Sequence, residues 1–527
     1  ASMPATVAAW RGRGCHILTV NDYLAARDAE LMRPIYEFCG LTVASIIGET
    51  KPADRRAAYL CDITYTTNKE VAADFLRDRL ALEGAPRGLT SALAHKVAGG
   101  QGQGLDQVVQ RGLEYCIVDE ADSIMIDEGV TPLIIYGMTP NSERAEAFKQ
   151  ASDMADQMEP GVDYTVNHEY REINFTRKGR RKMADLGEQI GGIFAGIRRR
   201  EEMVNQALIA RELYLLDKQY VVQDGKVVIV DDFTGRLMPD REWRDGLHQA
   251  VSAKEGCEIE NPKETLARIS YQNFFRFYKR LSGMTGTAWE ARHEMWQIYG
   301  LPVVRIPTNR KCIRKMQRDR MFVTSDAKWN AIAEHVREAH ASGRPILVGT
   351  RSVRASERLS LMLRESEPPV EHEVLNAVRH KEEAKVVAQA GQPQRVTVAT
   401  NMAGRGTDIK LGPGVPEKGG LYVIACERHE SGRVDRQLVG RSARQGDPGE
   451  AITIISLQDE MLKRYGSKFW RAVLALTSDR NGEVRNPLAR WVVRRAQRKA
   501  EARALRQRKA VLKTDDWLDR ALGFASE

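Results

Sequence analysis

Asp119 and Glu120 close an apolar run, Tyr115-Cys116-Ile117-Val118. Such a run reads as a strand, and ligands of open α/β sheets gather at the carboxyl ends of strands. One carboxylate there can hold Mg²⁺ through water, and its neighbour can polarise an attacking water. Far along the chain, Arg441 and Arg444 lie three positions apart, a spacing that puts both guanidiniums on one face of a predicted helix. Paired arginines suit the charge on a phosphoryl group in transfer. Alone, each feature is ordinary: an acidic pair after a strand is usually a solvated turn, and a basic helix face is usually surface. Each follows an apolar strand, however, and their joint occurrence implies a nucleotide held between two domains.

The elements that must position these groups can be read along the chain. His16–Val20, Asp62–Tyr65, Tyr115–Val118 and Leu133–Tyr136 read as strands. The run Asn68–Leu80 reads as a helix with Val71, Phe75 and Arg79 on one side. Strands alternating with helices predict a parallel α/β domain. From Met138 to Pro262 the pattern changes to short strands at Tyr164–Val166 and Glu172–Phe175, helices at Thr176–Leu186 and Ile197–Leu215, and a hairpin at Tyr220–Val230. Asp224-Gly225 is a strong turn signal for that hairpin. Its exposed edge could add an extended strand from a substrate. Thr265–Leu281 reads as a helix whose aromatics, Tyr271, Phe274, Phe275 and Phe277, belong to a core. Pro345–Thr350 and Arg395–Thr400 are buried-type strands of a second parallel domain. A connector and a long helix follow, with Leu488, Trp491 and Val492 on its docking face.

Several long motifs resemble the SecA family. Asp119-Glu120-Ala121-Asp122 and the Gly440-Arg441…Arg444-Gln445-Gly446 arrangement look like a superfamily-2 helicase-type ATPase. Thr19–Leu41, Asp62–Asp78, Asp231–Val251, Gly283–Ala288, Ala399–Ile409 and Glu427–Gly449 narrow this to SecA, and the resemblance runs from the first residues to about Arg508. It implies two RecA-like parallel-sheet ATPase domains, an inserted α+β substrate domain and a C-terminal long helix. The implied boundaries are 1–137 with 263–303 for the first nucleotide-binding domain, 138–262 for a preprotein cross-linking domain, 304–456 for the second nucleotide-binding domain, and 457–527 for the start of a helical scaffold. The resemblance assigns catalysis to Glu120, Arg441 and Arg444. It gives nucleotide contacts to Asp408, Arg405, Gly404, Asp119, Thr285 and Gly286, with Asp119 holding Mg²⁺ through water. The cofactors it implies are ATP and Mg²⁺.

One expected motif is missing. No GxxxxGK[ST] phosphate loop occurs, and the one Gly-Lys pair, Gly225-Lys226, is followed by Val227. Either the chain begins just inside the first helix of the family pattern, or the protein does not grip β-phosphate in the usual way. The mid-helix start without methionine favours the first.

Composition agrees with a multidomain cytosolic machine. A chain of 527 residues suggests several domains. Its seven cysteines show no paired spacing, which fits a reducing compartment and leads us to expect no zinc. No apolar run approaches the ~20 residues of a membrane span. The net charge of +9 is concentrated late: Arg490–Lys513 holds ten basic residues and one acid, Glu501. A solvated face is the ordinary reading of such a run, and contacts with anionic lipid or with nucleic acid are the functional ones. Only Trp491 interleaves, so a stacking platform for nucleic acid is not expected. The expected function is therefore a SecA-like ATPase that moves unfolded secretory preproteins through the SecY channel. It would be cytoplasmic and partly peripheral on the inner face of the bacterial plasma membrane, touching anionic lipid there; the resemblance also allows a homodimer. The alternatives are a DEAD-type RNA helicase and a nucleotide-insensitive polypeptide-binding module.

Overall fold

The computed structural model describes residues 1–83, 108–138, 142–167, 172–216, 219–223, 225–230, 237–238, 242–243, 246–259, 263–375, 386–387, 389–400, 406 and 408–525. These divide into two compact units, Ala1–Ile135 with Ala267–Glu527, and Tyr136–Leu266.

The larger unit contains two parallel sheets. Across the first run the strands Arg280–Met284, Tyr115–Asp119, Cys15–Thr19, Ile63–Thr67 and Val43–Ser45. Every neighbouring pair is parallel. Cys15–Thr19 and Ile63–Thr67 are buried along their whole length, as central strands covered on both faces must be. The helix Asp22–Phe38 starts at Asn21, whose side chain accepts a hydrogen bond from Leu24 N at 2.9 Å. On the helix Asn68–Glu83, Val71 is buried as expected, but Arg79 is exposed; the inward positions are Ala72, Asp74, Leu76 and Asp78. Arg55 makes that polar face tolerable by pairing with Asp74 at 2.9 Å and Glu70 at 2.6 Å.

The expected helix over Thr265–Leu281 is not what forms. Lys263–Ser270 is a strand, Tyr271–Arg276 a short helix capped by Ser270, and Arg280–Met284 a strand. Tyr271, Phe274 and Phe275 are buried in the first core as expected, whereas Phe277 is 44% exposed. The helix stops because the next residues pair in parallel with Tyr115–Asp119, an interaction local pattern cannot announce. Gly283 permits that pairing to pack closely, since a Cβ there would lie 2.7 Å from the Ala121 Cβ.

Across the second sheet run Lys315–Met316, Gly449–Ser456, Leu421–Ala425, Ile346–Thr350, Val396–Thr400 and Glu373–Leu375, all parallel. Arg320–Phe322 pairs with the far half of Gly449–Ser456. Helices Ser325–Ala341 and Val353–Arg364 start at Thr324 and Ser352, each accepting a backbone N–H. The long helix Leu488–Ala525 buries Ala489, Val492, Val493 and Ala496 against Met321, Ile455 and Leu462. Of its expected docking residues Val492 is buried, but Leu488 and Trp491 are each 44% exposed, so the buried stripe lies one position further on.

The smaller unit is α+β. Tyr164–Asn167 and Glu172–Phe175 form an antiparallel hairpin. It packs with helices Ser142–Asp156, Arg177–Ile190 and Ile197–Leu213 around Met154, Tyr164, Met183 and Leu208. A second sheet runs Leu237–Met238, Lys226–Val230, Tyr220–Gln223, with Tyr220–Gln223 at the edge. Helix Leu247–Lys254 covers it through Ala250 and Val251.

Candidate functional site

The strand Tyr115–Asp119 carries its acidic pair to the carboxyl edge of the first sheet. The register sets Met284 beside Asp119, so Thr285 and Gly286 emerge next to the acids. Glu120 adopts φ 50°, a left-handed conformation that costs a non-glycine residue about 1 kcal/mol or more. Its N–H donates to Asp119 Oδ1 at 3.0 Å, and the turn aims Glu120 into an open cleft of about 1720 Å³. Glu120, Thr285, Gly286, Arg441 and Arg444 all line that cleft. Burial holds the Asp119 carboxyl above the usual carboxylate range and Asp28 adds to this, while the Glu120 N–H opposes it. A carboxyl in that state gains from a nearby cation.

The arginines arrive differently from expectation. The helix Gly432–Val439 ends before them, and Arg441 and Arg444 stand in the loop beyond. Ala443 at φ 52° and Gln445 at φ 54° are left-handed, which no α-helix accommodates. The loop folds onto the start of Gly449–Ser456, where a Cβ on Gly449 would come within 2.5 Å of Ala443 N. Arg444 Nη1 pairs with Asp408 Oδ1 at 3.0 Å, and Gln445 Nε2 donates to the other Asp408 oxygen at 3.0 Å. Asp408 and Asp119 themselves do not line the cleft. Gly404 and Arg405 lie outside the described residues.

Asp122, fully buried and absent from the expected site, joins both halves. Its carboxylate accepts from Thr285 Oγ1 at 2.6 Å, Thr287 Oγ1 at 2.6 Å, Arg433 Nη1 at 2.6 Å and Gln437 Nε2 at 2.9 Å. Arg433 also pairs with Asp127 at 2.6 Å. The first sheet's acidic turn is thereby tied to the helix that precedes Arg441 and Arg444. A sequence signal for this existed: Arg433 and Gln437 are four apart, one helical face directed at one partner.

A family model described as the SecA DEAD-like domain matches residues 1–296, and one described as the SecA P-loop domain matches 311–416 and 413–479. The protein translocase subunit SecA 2 of Nitrosospira multiformis is 43% identical over 525 residues, covering 100% of this chain and 78% of that protein. The chain belongs to the SecA family.

Within the family it is similar also to the protein translocase subunit SecA of Caldicellulosiruptor saccharolyticus, 43% identical over 542 residues, covering 99% of this chain and 60% of that protein. Among solved structures, Dbp5 of S. cerevisiae bound to RNA and ADP BeF3 aligns over 85% of this chain and 72% of its own at 11% identity, with a TM-score of 0.38. The expectation that the chain lacks a P-loop is not confirmed. The matching SecA model over the second domain carries that description, although no GxxxxGK[ST] occurs. Two parallel sheets with acids on one and arginines on the other, in a SecA-family chain, are the architecture of an ATPase. Such a fold suits ATP with Mg²⁺. Mg²⁺ is commonly held by one or two carboxylates together with water and phosphate oxygens, and a half-buried Asp119 offers one such carboxylate. No helix among the described residues is long and apolar enough to cross a membrane.

Proposed function

We propose that this SecA-family chain couples ATP binding and hydrolysis to the movement of unfolded preproteins through the SecY channel. The observation that carries this is the Asp122 carboxylate, bonded at once to Thr285 and Thr287 beside the acids and to Arg433 and Gln437 ahead of the arginines. A nucleotide that changes the cleft must change this junction, which is how binding becomes motion. Glu120 acts as the base that orients water, and Asp119 would hold Mg²⁺ through water. Arg441 and Arg444 meet the charge of the transferring phosphoryl group, Arg444 leaving Asp408 as it does so. Thr285 and Gly286 relay the nucleotide state, with Asp408, Arg405 and Gly404 as further nucleotide contacts. Mg²⁺, when bound, supplies charge stabilisation to the phosphates.

In this reading 1–137 with 263–303 and 304–456 are the two nucleotide-binding domains, 138–262 holds the preprotein, and 457–527 begins the scaffold. The edge strand Tyr220–Gln223 supports a role in gripping extended chain, since an edge presents unpaired backbone groups. The basic face of Leu488–Ala525 supports a peripheral, salt-sensitive contact with anionic lipid on the cytoplasmic face of the membrane. Glu120→Gln in the intact protein tests the reading. Nucleotide binding is expected to remain while hydrolysis and preprotein transport into SecY-bearing vesicles stop. Unchanged turnover removes Glu120 from its role, and hydrolysis driven by RNA rather than preprotein turns the assignment toward a helicase.

A further inference from the structure

Glu501 is the single acid among ten basic residues of Arg490–Lys513. Its carboxylate does not serve its own helix. Oε1 accepts the backbone N–H of Gly432 at 2.9 Å, the first residue of the helix Gly432–Val439. One turn earlier on the long helix, Gln497 Nε2 donates to His429 O at 2.9 Å and to Asp435 Oδ2 at 2.8 Å. Asp435 is itself buried, and it also accepts from His429 N at 2.9 Å. Two side chains of the long helix therefore hold the entry turn of the short one.

We infer that Glu501, with Gln497, is a positioning residue for the nucleotide cleft: it fixes the start of the short helix and so fixes where Arg433, Gln437 and the Arg441–Arg444 loop stand. This inference rests on the ATPase reading of the cleft. Three features support it. The short helix has eight residues, too few to hold its own place, so its ends determine its position. Its ordinary cap is weak, Ser431 Oγ accepting from Arg433 N at 3.4 Å, and while its own first-turn acid, Asp435, turns back to His429, the carboxylate that takes the Gly432 N–H comes from a different element. Its inward face grips Asp122 through Arg433 and Gln437, and Arg436 reaches Glu290. An eight-residue helix is about 12 Å long and stiff, so a tilt at Gly432 is delivered at Gly440, where the arginine loop begins. The long helix, by shifting at Gln497 and Glu501, would set the arginines in or out of register with the cleft. Arg508 is not needed for this, since its contact is with Glu294 on the first domain.

The test compares Glu501→Ala, Glu501→Gln and Gln497→Leu with the unaltered intact protein. Expected for Glu501→Ala is a kcat for ATP lowered about tenfold with KM changed less than about twofold, because the arginines act in the transition state and not in ground-state binding. Glu501→Gln keeps an acceptor for Gly432 N and restores most of the rate; Gln497→Leu falls between. Hydrogen exchange supplies a readout independent of hydrolysis. Glu501→Ala should speed exchange at both 432–440 and 119–127, because loosening the entry turn also loosens the Asp122 junction. The unaltered protein run alongside separates the two ideas: if it hydrolyses no ATP, the ATPase reading fails, and the exchange data alone decide the coupling. Faster exchange confined to 432–433 means a local cap and overturns the proposal. So does a kcat within about twofold of normal in both Glu501→Ala and Gln497→Leu.

Discussion

Replacing Asp122 by asparagine exchanges one carboxylate oxygen for an amide nitrogen and should loosen the junction between the two sheets. The side chain is fully buried and accepts four hydrogen bonds, two from hydroxyls, one from a guanidinium and one from an amide. Asparagine keeps the shape but removes the charge, and one of its ends becomes a donor. Whichever way the amide turns, that donor faces Thr285 Oγ1 or the crowd of Thr287, Arg433 and Gln437. The hydroxyls can reverse and accept; Arg433 cannot. Arg433 is only 5% exposed and retains Asp127, which is partly open to water. Breaking a buried pair from one side costs roughly 3–5 kcal/mol, and the remaining Asp127 contact puts the expectation at the lower end, about 3 kcal/mol. In a chain of several domains a single unfolding midpoint does not report this. Native-state hydrogen exchange at 119–127 and 432–440 does, and about 3 kcal/mol corresponds to a rate increase of about a hundredfold at both segments. Adding Arg433→Met should cost less than the sum of the two single changes, since the pair is then absent as a unit. Exchange altered less than about threefold in Asp122→Asn, or strict additivity in the double variant, would refute the view that this carboxylate is the junction.

Arg441→Ala and Arg444→Ala should each lower kcat more than they raise KM for ATP; a loss confined to KM in both would make them ground-state contacts. For Arg444→Ala the Asp408 carboxylate also loses its partner at 3.0 Å, so nucleotide release should change in that variant and not in Arg441→Ala. His16 is buried, and desolvation followed by the nearby Arg111 charge pushes its pKa down to about 4 from 6.5. The unfolded chain therefore takes up a proton that the folded chain refuses: stability is whole above pH 6.5 and is lost as pH falls toward 4, up to roughly 3 kcal/mol for this group. Acid-induced opening of the first sheet, followed by exchange at 15–19, should be blunted in His16→Phe, and an unchanged pH profile would remove His16 from the account. A photo-cross-linker at Val222, 43% exposed on the edge strand, should capture an unfolded secretory substrate, whereas one at Tyr164, fully buried, should not. Equal labelling at both would mean that the inserted domain opens or that the edge is not the contact.

The strands were legible because their signal is local. Cys15–Thr19, Ile63–Thr67, Tyr115–Asp119, Ile346–Thr350 and Val396–Thr400 are dense apolar or β-branched runs, and buried parallel strands need nothing else. The acids at the end of Tyr115–Asp119 and the small hydroxyl-bearing residues at Thr285–Thr287 could be assigned to one place by resemblance, and the parallel register of Met284 with Asp119 is what brings them together. Arg280–Met284 failed as a prediction because its strand state comes from that pairing and not from its own residues. The arginine helix failed for a related reason. A spacing of three between Arg441 and Arg444 fits a helix, but left-handed Ala443 and Gln445 lie between and beside them, and neither residue type announces that conformation. Asp122 stands in the sequence as the last residue of Asp-Glu-Ala-Asp, but nothing local names its partners. Its partners lie 163 to 315 positions away, beyond any periodicity. Yet a carboxylate buried one turn past a strand cannot remain charged without donors. Two segments of the chain are dense in such donors: Thr285-Gly286-Thr287, and Arg433 with Gln437 on one helical face. Asking which segments could satisfy a buried acid would have joined the two domains from the sequence, because the need for a partner is a property of the residue even when the partner is distant.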